Sequence, residues 1–325
     1  MKTLTILSHW RCPMFNFEAE KQAFNLRSTV IEHKRFCEAR DAIENLYQRT
    51  KLYGEPGSIA VCAFSGGGKS TLIREMGRKY PPADMDTYME LPMLFAEIPA
   101  SPSISSVAQA LIDPLDGHYA PNATIGSLTE TLVILIQQRH TKVLVIDEFQ
   151  HLLERGSKIK AMEVADWFKG LMNRARVSLA IIGLPYISRL FAANTQLRRR
   201  TQETYYLNDW RLTRKEDVIE FRSAIKSFAD SVEYTCDRSI FGKGHVVNMI
   251  YFASNGVIGH VATLLSETFL CVIEAGKKKI EIGDLERAFR KKIWPDAPAN
   301  RNPFCKSFDE QALIMPGDPF AEETY

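Results

Sequence analysis

Lys69-Ser70 and Asp147-Glu148 are the residues whose types and spacing can do chemistry in this chain. The first pair closes the run Ala63-Phe64-Ser65-Gly66-Gly67-Gly68-Lys69-Ser70-Thr71. Three successive glycines let a backbone curl with its N–H groups inward, where any side chain would block a polyphosphate. Lys69 would reach the β- and γ-phosphates of ATP, and Ser70 would offer its hydroxyl to magnesium. Ser65, Gly66, Gly67, Gly68 and Thr71 complete the nucleotide cradle. The usual pattern has glycine at both ends of its four-residue spacer, and here the first is Ala63, a residue small enough to fit. A glycine-rich turn without a ligand is the plain alternative. It is disfavoured because strand, loop, Lys-Ser and helix follow in the required order.

A phosphate loop alone promises only a bound nucleotide. Asp147 ends the apolar run Val143-Leu144-Val145-Ile146, where a carboxylate would hold magnesium directly or through water. Glu148 is suited to polarise an attacking water, which makes hydrolysis the expected reaction. Arg198, Arg199 and Arg200 are candidates for the cation that neutralises a neighbouring subunit's γ-phosphate, although a solvated or DNA-facing basic patch would read the same. Gly183-Leu184-Pro185 ends a later strand without the polar side chain that often positions the water. That helper is therefore missing, or replaced by Gln150 or His151. His260 is either a nucleotide sensor or a structural histidine.

These groups need elements to hold them. Residues 59–63 read as a strand and 70–80 as the helix after the loop, with further strands at 92–98, 142–148 and 178–183. Helical patterns at 107–111, 128–138, 164–175 and 185–193 alternate with them, so residues 51–210 specify an α/β layered domain around a parallel sheet. Residues 1–50 begin with an extended aromatic stretch and become helical from 28, with Val30, Ile31, Phe36, Ala39, Ile43 and Leu46 on one face, as a lead-in beside the nucleotide. From Thr213 the pattern is helical only, at 213–229, 244–254, 259–275 and 282–292. This gives a small all-α domain over 211–293. Residues 294–325, with five prolines and an acidic end, read as an extended tail with little core.

The 325 residues are 45% hydrophobic, enough for a real core, and carry a net charge of +2, so any nucleic-acid surface must be local. No run of about 18 apolar residues exists for a membrane span. The six cysteines are scattered without a Cys-x-x-Cys pair, which argues against zinc or redox work and for reduced thiols in a cytoplasmic protein.

The phosphate loop, Ile146-Asp147-Glu148-Phe149-Gln150-His151-Leu152, Ile182-Gly183-Leu184-Pro185, Leu197-Arg198-Arg199-Arg200 and Gly256-Val257-Ile258-Gly259 together resemble the TniB/TnsC group of AAA+ ATPases. These are target-selection regulators of bacterial transposons, including CRISPR-associated ones. The resemblance covers roughly residues 30–292. It implies an AAA+ three-layer nucleotide-binding domain followed by a helical lid, and a homo-oligomeric ring or filament that assembles around double-stranded DNA in its ATP form. The assembly would link a TniQ-type target-recognition protein to the transposase, and hydrolysis would dismantle it. Lys69, Ser70, Asp147 and Glu148 keep the roles argued above, and one arginine of the trio completes the neighbour's site. Leu184 stands where Thr or Ser is common and His260 where arginine is common, which implies slow turnover.

A duplex in such an assembly would be held mainly by its backbone. Lys158 and Lys160, in a stretch read as flexible over 154–161, are the DNA-contact candidates, with polar residues of 116–129. The denser run Lys277-Lys278-Lys279, Arg287, Arg290, Lys291 and Lys292 reads equally as helix-end solvation. Three other readings compete. An origin-initiator or clamp-loader-like ATPase would usually append a winged helix, for which some 30 residues after Lys292 are too few. A small-molecule kinase would need lid arginines and an acceptor pocket. An NTP-gated signalling scaffold without nucleic acid stays open.

Overall fold

The computed structural model describes residues 16–154, 158–187, 201–207 and 210–321. The chain divides into two compact units. The larger comprises Glu32–Val218, Gly256–Gly259 and Ile314–Tyr325, and is built on a five-stranded parallel sheet.

Short continuous apolar runs make these strands, because both faces of the sheet are covered and no polar alternation is needed. Every residue of β1 (Ser58–Cys62), β5 (Val143–Asp147) and β6 (Ser178–Gly183) is buried. β4 (Met93–Glu97) lies on one edge and β7 (Thr201–Tyr206) on the other, giving the order β4-β5-β6-β1-β7. Alternate strand residues Ala60, Cys62, Leu144, Ile146, Leu179 and Ile181 pack on one face with helices α4 (Ile104–Ile112), α5 (Ile125–Gln138) and α7 (Lys158–Ala175). Helices α2 (Lys34–Tyr53) and α3 (Lys69–Lys79) pack elsewhere on the sheet, α2 against its central strands and α3 against β4. A two-residue antiparallel pair, β2 (Ala83–Asp84) and β3 (Met89–Glu90), and the short helix α6 (His151–Glu154) complete this part. Buried hydroxyls meet where α2 ends and β6 begins. Thr50 and Ser178 hydroxyls lie 2.5 Å apart, and Ser178 Oγ also accepts the Gly57 N–H at 2.9 Å.

The smaller unit is helical. It contains α1 (Phe17–Ser28), most of α8 (Lys215–Asp230), α9 (Gly244–Ser254), α10 (Ile258–Glu274) and α11 (Ile282–Lys292). α9 and α10 meet at a 113° bend, made by Asn255 and Gly256 in left-handed conformations (φ 51° and 66°). Together the pair is long and apolar because it forms the buried centre of this unit through Val246, Ile250, Val261, Leu265 and Phe269. Among the described residues, no single helix is long and apolar enough to cross a membrane.

Three expectations need correction, and a fourth lies mostly outside the described residues. Residues 17–28 form a helix that packs Ala19 and Ala23 against Leu270 within the helical unit, not an extended stretch. The tail has little regular structure but is packed: Phe304, Leu313 and Phe320 are buried, and Arg301 pairs with Asp309 at 3.1 Å. Residues 158–161 are the first turn of α7, not a flexible stretch. Of the helix expected over 185–193, only a single 3-10 turn, Pro185–Ile187, falls within the described residues.

Candidate functional site

All five strands run parallel, so the segments after β1, β5 and β6 emerge at one edge of the sheet, where open α/β sheets bind ligands. The loop 63–68 leaves β1 there. Ala63 N–H donates to the Gly183 carbonyl at 3.0 Å, which ties the loop to β6, and Gly67 N–H closes a turn onto Phe64 O at 3.0 Å. Gly66 (φ 72°) and Gly68 (φ 98°) occupy left-handed backbone that side chains resist. Ala63 is buried and is not among the positive-φ residues, so its β-carbon costs the loop nothing. Helix α3 starts at Lys69 with no side chain capping it, which leaves its first N–H groups and positive dipole end to an anion.

Lys69 is 8% exposed, and its Nζ donates to Ala63 O at 3.0 Å and Phe64 O at 3.2 Å. Burial pulls its ammonium below the ordinary lysine range, and the nearby Asp147 and Glu148 carboxylates oppose that shift. The site therefore brings together the cation and both carboxylates that the sequence singled out. Asp147, 7% exposed, ends β5 and accepts the Glu148 N–H at 2.8 Å. Burial pushes its carboxyl above the usual range; Glu148 adds to this, while that N–H bond and Lys69 work against it. Cys62, beneath the loop, is pushed up to about 12 by burial and stays a thiol.

Glu148 has φ 54°, a left-handed conformation costing on the order of 1–3 kcal/mol for a residue with a side chain. The surrounding sheet holds it there: Ile98 N–H bonds Asp147 O at 3.0 Å, and Phe149 N–H bonds Ile182 O at 3.1 Å. Its carboxylate accepts Gln150 Nε2 at 2.5 Å and lies 3.7 Å from His151 Nε2. His151 Nδ1 sits 2.9 Å from the Ile98 carbonyl, which assigns the proton to Nδ1. Gln150 is buried, and its Oε1 accepts the Leu184 N–H at 3.3 Å.

Gly256-Val257-Ile258-Gly259, which in the sequence opens a helix of the small all-α domain, lies against the phosphate loop. Gly259 N–H donates to Gly66 O at 2.9 Å, and a β-carbon on Gly259 would lie 2.7 Å from that oxygen. The segment thus rests on the phosphate loop by a backbone-to-backbone contact that only glycine allows. Its sequence signal was the glycine opening a helix. His260 places Nδ1 3.1 Å from Ser254 O, at the end of the preceding helix.

Ser70 is exposed, Ser65 and Gly66 are exposed beside it, and Thr71 is half-buried in the first turn of α3. Arg198, Arg199 and Arg200 lie outside the described residues. Lys158 and Lys160 stand on α7, on the other side of the short helix α6 from Glu148 in the chain. Five of the seven cations in the basic run near the helical unit's end are ion-paired. Lys277 pairs with Asp284 at 2.7 Å, Lys291 and Lys292 with Glu267 at 2.5 and 3.6 Å, and Arg290 with Glu286 at 3.3 Å. Glu267 and Asp284 are buried, so these cations compensate interior carboxylates.

An ammonium, a free helix start and two carboxylates at one sheet edge can hold a metal-bound polyphosphate and activate water against it. A family model described as the bacterial TniB protein matches residues 22–212. Among solved structures, the chain is similar to the Aeropyrum pernix ORC1 protein in complex with DNA. That match has 13% identity and a TM-score of 0.62, over 83% of this chain and 69% of that one. It is also similar to Cdc6p from Pyrobaculum aerophilum (12%, 0.59, 82% and 70%) and to the Thermotoga maritima RuvB Holliday junction branch migration motor (14%, 0.51, 87% and 76%). At these identities the likeness is one of fold. No curated protein matches the sequence.

Proposed function

The chain belongs to the TniB family and is an AAA+ ATPase, and from that premise we propose that it is an ATP-switched assembly platform for DNA transposition. In its ATP form it oligomerises on duplex DNA as a ring or helical filament and links a TniQ-type target-recognition protein to the transposase. Hydrolysis takes the assembly apart.

The observation that carries the nucleotide half of this reading is Lys69, a buried cation held by two loop carbonyls and facing Asp147 and Glu148. Two neutral carbonyls compensate a buried ammonium incompletely, and phosphate oxygens would do so better. Magnesium fits the site by donor chemistry, since the Ser70 hydroxyl and Asp147 carboxylate are hard oxygen ligands. When bound there, it would neutralise charge on the phosphates. Lys69 would release its loop carbonyls to grip the β- and γ-phosphates. Glu148 would accept a proton from the attacking water at a carboxylate oxygen. One of Arg198, Arg199 and Arg200 would reach the neighbouring subunit's γ-phosphate.

Duplex binding is supported by the family match, and by the DNA in the A. pernix ORC1 structure, whose fold this chain shares. That likeness also favours a second reading, an initiator-type ATPase, whereas the family match favours transposition. Sedimentation of the full chain on duplex DNA tests the switch. With ATP, Glu148→Gln should slow hydrolysis about 100-fold or more and leave the large species in place. Lys69→Ala should leave only small species. Wild-type hydrolysis by Glu148→Gln would overturn the base assignment, and assembly by Lys69→Ala would overturn the switch.

A further inference from the structure

The end of β6 offers no polar side chain to the reaction: Gly183 has none and Leu184 is apolar. The polar group found at that place is instead Gln150, arriving from β5. Its Oε1 accepts the Leu184 N–H at 3.3 Å, which fixes the orientation of the amide. With the oxygen anchored on β6, the amide nitrogen must face the other way, and it donates to Glu148 Oε2 at 2.5 Å. Gln150 is 4% exposed, so packing holds its amide in place between the two partners. Gly183 makes the room, because a β-carbon there would come within 2.7 Å of Gln150 Oε1. His151, the other candidate for this place, has one ring nitrogen committed to Ile98 O and the other 3.7 Å from Glu148, beyond hydrogen-bond reach.

We infer that Gln150 is the positioning residue for Glu148, a clamp that locks the general base to the end of β6 and supplies from β5 the polar function β6 lacks. The inference rests on Glu148 being the base. A glutamate on a strained backbone, one-third exposed, would otherwise sample several rotamers, and a base misplaced by about 1 Å costs on the order of 100-fold. Titratable groups around the clamp are Lys69, Asp147 and His151.

The test is ATP turnover by the full chain on duplex DNA, with nucleotide affinity measured separately. Gln150→Met should lower kcat about 10- to 100-fold while KM and nucleotide Kd change less than about 3-fold. In a Glu148→Gln background the same substitution should add nothing, because the clamp acts only through Glu148. A Gln150→Met enzyme with wild-type kcat, or losses that multiply with those of Glu148→Gln, would each overturn the inference. If Glu148→Gln itself turns over normally, it is the base assignment that fails, and the two failures are thereby told apart.

Discussion

Asp147 has the environment that most directly exposes the site to measurement. Burial raises its carboxyl above the ordinary value near 3.9, so the native state holds a proton that the unfolded chain has already released. In the window just above the ordinary carboxylate range, unfolding free energy therefore falls as pH rises. Asn at this position keeps an oxygen for the Glu148 N–H and removes the buried charge. Without nucleotide and magnesium, Asp147→Asn should melt above the wild type at about pH 7.5, and the gap should close towards about pH 4. Thermal scans of both proteins at the two pH values check this, and a gap independent of pH would contradict it. The same buried charge gives the site its reason to take up a cation.

At the scale of elements, the packed tail makes the sharpest prediction. Phe304 is buried with its ring 6.0 Å from Phe289 of α11, and Asn302, fully buried, accepts the Phe304 N–H at 3.0 Å. Phe304→Ala should cost about 3–5 kcal/mol in the helical unit, read from its denaturant midpoint. An unchanged midpoint would mean the tail contributes no core. The strands that carry the chemistry were legible because each is a short apolar run ending at its functional residue, as in Val143 to Asp147, where the signal is local. α1 was not legible, because its exposed face carries Phe17 and Phe24 while its buried stripe is Ala19, Gln22, Ala23 and Leu26; the large apolar residues point the wrong way. The two-residue strands β2 and β3 are too short to show a period. Gly259 on Gly66 is a contact between backbones far apart in the chain, and no side-chain pattern records it. Gln150 and His151 were equal candidates by spacing, and only their distances to Glu148 separate them.

Across the whole molecule, a net charge of +2 gives no general attraction to nucleic acid, and part of the densest basic run is paired with Glu267, Asp284 and Glu286. Duplex affinity in this account must come from repetition, in which modest backbone contacts on each subunit add up only when ATP joins the subunits. On the proposed function, nucleotide controls assembly on DNA. Electron microscopy of the full chain, with and without duplex DNA, under ATP, a slowly hydrolysed analogue or ADP, tests it most directly. Rings or helical filaments are expected on duplexes of unrelated sequence with ATP or the analogue, and small particles with ADP. Particles whose size responds to neither nucleotide nor duplex would contradict it.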